Sequence, residues 1–486
     1  MELLMSYEKL KTYEKDYNRI PIAGEIYADI TTPILVLQRL AQVESKFFLL
    51  ESVEGGEHFG RYSFLGYNPL LHMSCNHNQV YITQYNEKKR IDKGPMEAIK
   101  DLLQRNKAPR LKELPTFSGG LVGYFSYEMI KYAEPKLFLK ESEFNDYDFM
   151  LFDKVIAFDH LKQKIIIMVN YLADEGREGY NNAVIELNKI ETMIRENTPL
   201  IHQRHHENID FTCNLSKEVY MSLVEKAKNY IREGDIFQAV ISRRFEARLK
   251  GSLLNAYRIL RTTNPSPYMY FIQNNDLQIT GASPETMVKL SSGLLTTFPV
   301  AGTRPRGLTE EEDNRFEVEL LADEKELSEH NMLVDLARND IGKISVYGSV
   351  KVKEYMKIHR FSKVMHIASV VTGNIKDSND GCDTIEAVLP AGTLSGAPKF
   401  RACEIIDELE PVARGVYGGA IGYLDLSGNL DMCIAIRTAV KKKEQVFVQA
   451  GAGIVADSDA KKEYEECGNK AGAIIEAIIR SGEVEL

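Results

Sequence analysis

Residues 449–471 read QAGAGIVADSDAKKEYEECGNKA. The stretch opens on Gly451, Ala452 and Gly453, which predict a turn, passes Asp457, Ser458 and Asp459, which suit a helix start, and enters a helical pattern. Residues three, four and seven apart share a helix face, so Glu463, Glu466 and Lys470 are expected on one stripe that continues into Ile474 and Ile478. Charges in line with core positions are costly to bury, so the stripe requires a cation, an anionic ligand or both. The same spacing also fits a surface ion-pair array.

A second stretch, ADEKELSEHNMLVDLARND (322–340), repeats the pattern. Glu326 and Glu329 are three apart and share a stripe with Leu333 and Leu336. Two such pairs suggest two helices presenting carboxylates to one inner site. A donor set of carboxylates favours a hard, oxygen-preferring cation, and Mg2+ suits one or two of them plus water.

The chain has 486 residues, 44% hydrophobic and 27% charged, enough for two or more domains or one large intertwined core. A formal charge of -10 argues against broad nucleic-acid or membrane binding, so an anionic substrate needs local basic groups. The charged opening, MELLMSYEKLKTYEKDYNR, lacks the apolar core of a secretory signal. Six cysteines show neither paired metal spacing nor a disulfide framework, which places the expected location in the cytoplasm.

From about residue 46 to 166 the pattern predicts many short strands, with helices near 96–105 and 178–196. A polar linker is expected at 197–212; its His202, His205 and His206 are those of a solvated tract more often than of a metal site. Past it, Ser216 and Gly234 bracket a clear helix, and strands then alternate with helices. The predicted class is α+β, with large, mainly antiparallel sheets flanked by helices. The expected domains are residues 1–200 and 213–486.

Several residues could grip an anion. Arg437 is expected inside an apolar strand, IAIRTAV, where a guanidinium needs an acidic partner. Gly302 with Thr303, and Gly451 to Gly453, offer turns whose N–H groups can face an anion. Structural ion pairing and turn geometry are equal alternatives for each. His366, amid apolar residues, is a candidate proton carrier or a core histidine; Thr393 offers a hydroxyl or caps a turn. Gln238 cannot act as a general base, and Ala301 cannot be a nucleophile.

LLES, PSPYM, PVAGTRPRG, ELSEHNMLVDLARND, VMH, LPAGTLSGAPK, AIRTA, QAGAGIVADSD and EYEECGNKA occur in the order seen in chorismate-utilising enzymes. The chain resembles their anthranilate synthase component I branch from about Leu49 onward. That resemblance implies a chorismate-binding fold and assigns Glu329 and Glu466 to Mg2+, with Glu326 and Glu463 in support. It assigns Gly302, Thr303, Tyr417, Arg437, Gly451, Ala452, Gly453 and Lys470 to chorismate, and His366 and Thr393 to turnover. It also implies a tryptophan feedback pocket of Leu50, Glu51, Ser52, Asn264, Pro267, Tyr268, Met269 and Cys433, partly in the N-terminal domain.

Related isochorismate and salicylate synthases carry a lysine where Gln238 stands, and aminodeoxychorismate synthases carry one where Ala301 stands. With neither, the resemblance implies direct attack of ammonia on chorismate, giving 2-amino-2-deoxyisochorismate and then anthranilate and pyruvate. The chain has no Gly-x-Cys-x-Gly nucleophile turn, so a separate glutamine amidotransferase subunit is the expected ammonia source. The alternatives are an aminodeoxychorismate synthase component I and a non-catalytic tryptophan-binding homologue.

Overall fold

The computed structural model describes residues 1–52, 60–196, 209–360 and 364–483. The histidines of the expected linker lie outside the described residues. Among the described residues, two large sheets of 13 and 12 strands form the frame. Their ladders are antiparallel, as the sequence pattern predicts. Strands from both halves of the chain share each sheet. Lys46–Glu51 pairs with Tyr268–Asn274 in the first, and Gly120–Phe125 with Ala420–Asp425 in the second.

Alternation along the strands turns one apolar row inward from each sheet. Phe48, Phe64 and Tyr270 of the first meet Val122, Tyr124 and Tyr423 of the second in one buried aromatic layer. Burial of each such side chain contributes about 2 kcal/mol. Helices Pro33–Val43, Gly176–Arg195, Lys217–Glu233, Lys399–Leu409 and Ala460–Ile479 cover the outer face of the first sheet. Pro95–Arg105, Glu324–Gly342 and Gly381–Val388 cover that of the second. Helix Lys217–Glu233 ends as predicted: Ser216 Oγ accepts from Val219 N, and Gly234 takes the left-handed conformation at φ +85°. No helix among the described residues is long and apolar enough to cross a membrane.

Two strands change sheets side by side. Leu277–Ser283 of the first sheet continues as Thr286–Ser291 of the second, while Leu430–Ile434 of the second continues as Thr438–Lys442 of the first. Gly281 faces Thr438 on one side of the crossing and Thr286 faces Cys433 on the other. Backbone bonds pin the crossing segments together, Ile434 N to Glu285 O at 3.0 Å and Ala282 N to Arg437 O at 3.1 Å. Glu285 and Arg437 therefore emerge where the sheets part.

Three local expectations are corrected. Gly302 and Thr303 do not form a turn: they lie in strand Val300–Pro305, whose pairing with Val364–Asn374 is bulged between Ala301 and Thr303. Arg437 does not lie within a strand: it occupies the break between two, with a left-handed φ of +47°. That conformation is costly for a residue with a Cβ and is held by the crossing around it. Gly451 to Gly453 do not form a turn: they are the end of strand Gln445–Ile454, paired with Val240–Ser242. The ladder on the other side stops at Ala439 and Val448, so that edge of the glycine segment faces away from any neighbouring strand in the pairing. The sequence pattern misled here because glycines serve close approach as readily as turns.

Candidate active site

Helix Glu324–Gly342 starts at Asp323, whose carboxylate accepts from Lys325 N and Glu326 N. Leu333 and Val334 anchor it in the core. Gly392 approaches so closely that a Cβ there would strike the Leu336 side chain, and this brings the short turn of Thr393 against the helix. Gly302 has φ +67°, and Glu326 Oε2 lies 3.2 Å from the position its Cβ would take. Burial raises the pKa of Glu329, and the nearby Glu326 and Glu466 charges push the same way against Lys325 and Lys470.

Helix Ala460–Ile479 is capped by Asp459, which accepts from Lys462 N at 2.9 Å. Its buried face is Cys467, Ala471, Ile474 and Ile478; Glu463 is half-buried, and Glu466 and Lys470 stand on the exposed shoulder. Lys470 Nζ pairs with Glu466 Oε1 at 2.7 Å and donates to Gly451 O at 3.2 Å. Burial also raises the pKa of Glu463, which feels Glu466, Lys470 and, from the other helix, Lys325. The four carboxylates thus lie within one electrostatic field.

The two sheet-crossing residues complete the cleft. Glu285 Oε2 accepts from Thr393 Oγ1 at 3.0 Å, and burial raises its pKa against Thr393, Lys470 and Arg437. Arg437 is open to solvent along the cleft yet walled by protein, so desolvation lowers its pKa while Glu285 raises it. His366 Nδ1 is 2.9 Å from Gly302 O and 3.0 Å from Thr303 Oγ1. A carbonyl only accepts, which assigns the hydrogen to Nδ1 and the lone pair to Nε2. Burial lowers the His366 pKa, the Gly302 bond opposes it and the Arg437 charge adds to it, so the ring is a neutral base near pH 7.

Tyr417 is buried, and its hydroxyl lies 2.9 Å from where a Cβ would stand on Gly451. Ala452 turns its side chain into the helix-covered core, leaving only its backbone for a ligand. Gln238 lies against Gly453, its Nε2 2.7 Å from a Cβ built there, and Ala301 is buried beside Gly302. Sequence reasoning missed Glu285. Its signal was an acid in a two-residue connection, Pro284-Glu285, between two apolar strands.

Among the described residues no group of three or more His, Cys, Asp or Glu is gathered as a metal cage. Magnesium needs no such cage: one or two carboxylates suffice, with water and substrate oxygen filling the shell. Glu329 and Glu466, whose like charges oppose ionisation of Glu329, fit that demand.

A separate cavity of about 130 Å³ is lined by Leu50, Glu51, Ser52, Pro267, Tyr268, Met269 and Cys433. Asn264 stands at the end of helix Leu254–Thr263, outside that lining. Tyr268 Oη donates to Asp431 at 2.7 Å and accepts from Thr286 Oγ1 at 3.1 Å, one residue from Glu285.

The sequence matches the family described as chorismate binding enzyme over residues 46–476. It is 47% identical to anthranilate synthase component 1 of Acetivibrio thermocellus, across 98% of this chain and 99% of that one. It is 43% identical to that of Aquifex aeolicus strain VF5, across 98% of each. Anthranilate synthase component I of Streptococcus pneumoniae TIGR4 superposes with a TM-score of 0.78 at 39% identity, covering 92% of this chain and 98% of that chain. The menaquinone-specific isochorismate synthase of Escherichia coli shares the fold, with a TM-score of 0.70 at 16% identity, covering 97% and 98%. The chain belongs to the chorismate binding enzyme family, in the company of its anthranilate synthase component 1 members.

Proposed function

We propose that this chain is the large subunit of an anthranilate synthase, converting chorismate and ammonia to anthranilate and pyruvate. The observation that carries the reading is the convergence, on one cleft, of paired carboxylates, the cations Arg437 and Lys470 and the half-buried acid Glu285. Gln238 and Ala301 border that cleft without offering a lysine.

Glu329 and Glu466 hold Mg2+, with Glu326 and Glu463 shaping the charge around it. Bound there, the ion supplies positive charge against the substrate's carboxylate. Arg437, Lys470, the glycine backbones and Tyr417 hold and orient chorismate. Glu285 gives its proton to the departing C4 hydroxyl, which leaves as water while ammonia bonds to C2, and the C2 ammonium so formed returns a proton to the Glu285 carboxylate. Thr393 holds that carboxyl in place. His366, neutral and with Nε2 unprotonated, then accepts the C2 proton as the ring aromatises and the C3–O bond breaks; the side chain leaves as enolpyruvate, which takes up a proton at its methylene carbon to become pyruvate. Gly302 O fixes the required tautomer.

A separate glutamine amidotransferase subunit delivers ammonia, which is mostly protonated in neutral water. Tryptophan occupies the cavity of Glu51 and Ser52, walled in part by residues 1–200, while residues 213–486 carry the cleft. Six free thiols, five of them buried, suit a reducing cytoplasm. The test is fluorescence of the purified chain with chorismate, magnesium and an ammonium salt at mildly alkaline pH. Anthranilate is the expected product. Aminodeoxychorismate, or no turnover despite tryptophan binding, would refute the assignment.

A further inference from the structure

A groove of about 610 Å³ lies between the start of helix Pro33–Val43, the end of strand Lys154–Asp159 and helix Leu254–Thr263, away from the cleft. Ile34, Phe158 and Ile259 give it apolar walls, and Arg258 and Arg261 give it cations. Arg261 is shared with the neighbouring pocket: Nε donates to Glu51 Oε1 at 2.7 Å and Nη2 to Oε2 at 3.3 Å, on a carboxylate that lines the tryptophan cavity. Arg258 has no acidic partner among the described residues. Its Nη1 donates to Asn255 Oδ1 at 3.2 Å, and burial alone lowers its pKa.

The acid in the lining, Asp159, is already taken by Arg61 at 2.9 Å and by the Leu161 and Lys162 amides. Thr31, on the same wall, has an Oγ1 without a hydrogen-bond partner among the described residues. A partly buried guanidinium without an anion leaves its desolvation uncompensated, and a carboxylate meets that need with two hydrogen bonds. Apolar walls of this size suit more than a bare inorganic anion.

We propose that this groove is a second effector site, for a small organic carboxylate with an apolar body, and that its ligand is felt in the tryptophan cavity through Arg261. The carboxylate binds Arg258 and competes with Glu51 for Arg261; the apolar body rests on Ile34, Phe158 and Ile259. A second link runs through His160 Nε2 to Ser63 Oγ at 2.7 Å, and on to Glu51 Oε2 at 3.2 Å. Loosening Glu51 weakens tryptophan binding. This regulatory half rests on the tryptophan assignment above, whereas the binding half does not.

The probe is phenylacetate, titrated calorimetrically into the full chain. Wild type should bind it in the millimolar range. Arg258→Gln should bind it at least about tenfold more weakly, and neutral 2-phenylethanol should not bind. No binding to wild type, or equal binding to the variant, overturns the site. Independently of any variant, 4-bromophenylacetate soaked into crystals should place its bromine in the groove by anomalous scattering; a groove without bromine overturns it too. In turnover assays phenylacetate should raise the half-inhibiting tryptophan concentration about threefold in wild type and leave Arg258→Gln unmoved. An unshifted wild-type curve overturns the coupling. A chain that tryptophan does not inhibit would sink the tryptophan assignment, while calorimetry still decides the groove.

Discussion

Replacing Glu285 by Gln separates proton donation from everything else this residue does. The amide is nearly isosteric, and its oxygen can still accept from Thr393 Oγ1, so the 3.0 Å hydrogen bond survives. What disappears is the transferable proton. General acid catalysis contributes about 10²- to 10⁴-fold, or about 3–5 kcal/mol of barrier, and turnover should fall by that factor with little change in the KM for chorismate. The pH profile supplies a second signature. Burial raises the carboxyl pKa, so the working, protonated form is fully present below that pKa and is lost as pH rises through it. Wild-type turnover, expressed per unprotonated ammonia, should therefore decline on the alkaline side, and the Gln variant should show no such limb. The assay is anthranilate fluorescence at saturating chorismate over a pH series. A variant within about threefold of wild type, or one that keeps the alkaline limb, would remove Glu285 from the proton path.

Glu466→Gln should lower magnesium-dependent turnover by at least about 100-fold with an unchanged melting temperature; preserved activity would take this residue out of the metal site. Replacing Ser52 by Ala should weaken tryptophan inhibition by about fivefold without altering the uninhibited rate, and an unchanged inhibition curve would disprove the pocket assignment. Glu410→Gln leaves Arg414 charged in a pair whose members are 2% and 3% exposed and 2.6 Å apart, so it should cost about 3–5 kcal/mol in guanidinium denaturation. Less than about 1 kcal/mol would mean that the pair does not support strand Gln238–Arg248, whose Ser242 N donates to Glu410 Oε1 at 2.7 Å.

Much of the candidate site's placement was legible because its residues sit on helices, where spacing alone assigns a face. Glu326 and Glu329, then Glu463, Glu466 and Lys470, are read this way, and the helices stand where the pattern puts them. Helix Glu310–Leu321 was not legible: four acids fill its first turn and its apolar stripe is thin. Glu285 and Arg437 were misread or missed because their role depends on two strands changing sheets together, a pairing between segments about 150 residues apart. The glycines at 451 and 453 admit Tyr417 and Gln238, neighbours that only the folded chain supplies.

Under the proposed tryptophan assignment, the crossing also gives the bound ligand a physical hold on the cleft. Tyr268, in the wall of the cavity beside Glu51 and Ser52, takes a hydrogen bond from Thr286, the first residue of the strand that Glu285 leads into. On the partner strand, Cys433 lines the same cavity four residues before Arg437. A ligand that displaces the Tyr268 ring therefore pulls on both crossing segments at once, and these carry the acid and one of the cations of the cleft. Thr286→Val removes the hydroxyl from this link and keeps the side-chain volume. Tryptophan should still bind by calorimetry, while maximal inhibition falls by about fivefold, a coupling loss of about 1 kcal/mol. Full inhibition in that variant would show that the signal takes another route, because binding and coupling would then be independent of the only side-chain hydrogen bond described between the cavity wall and the start of that strand.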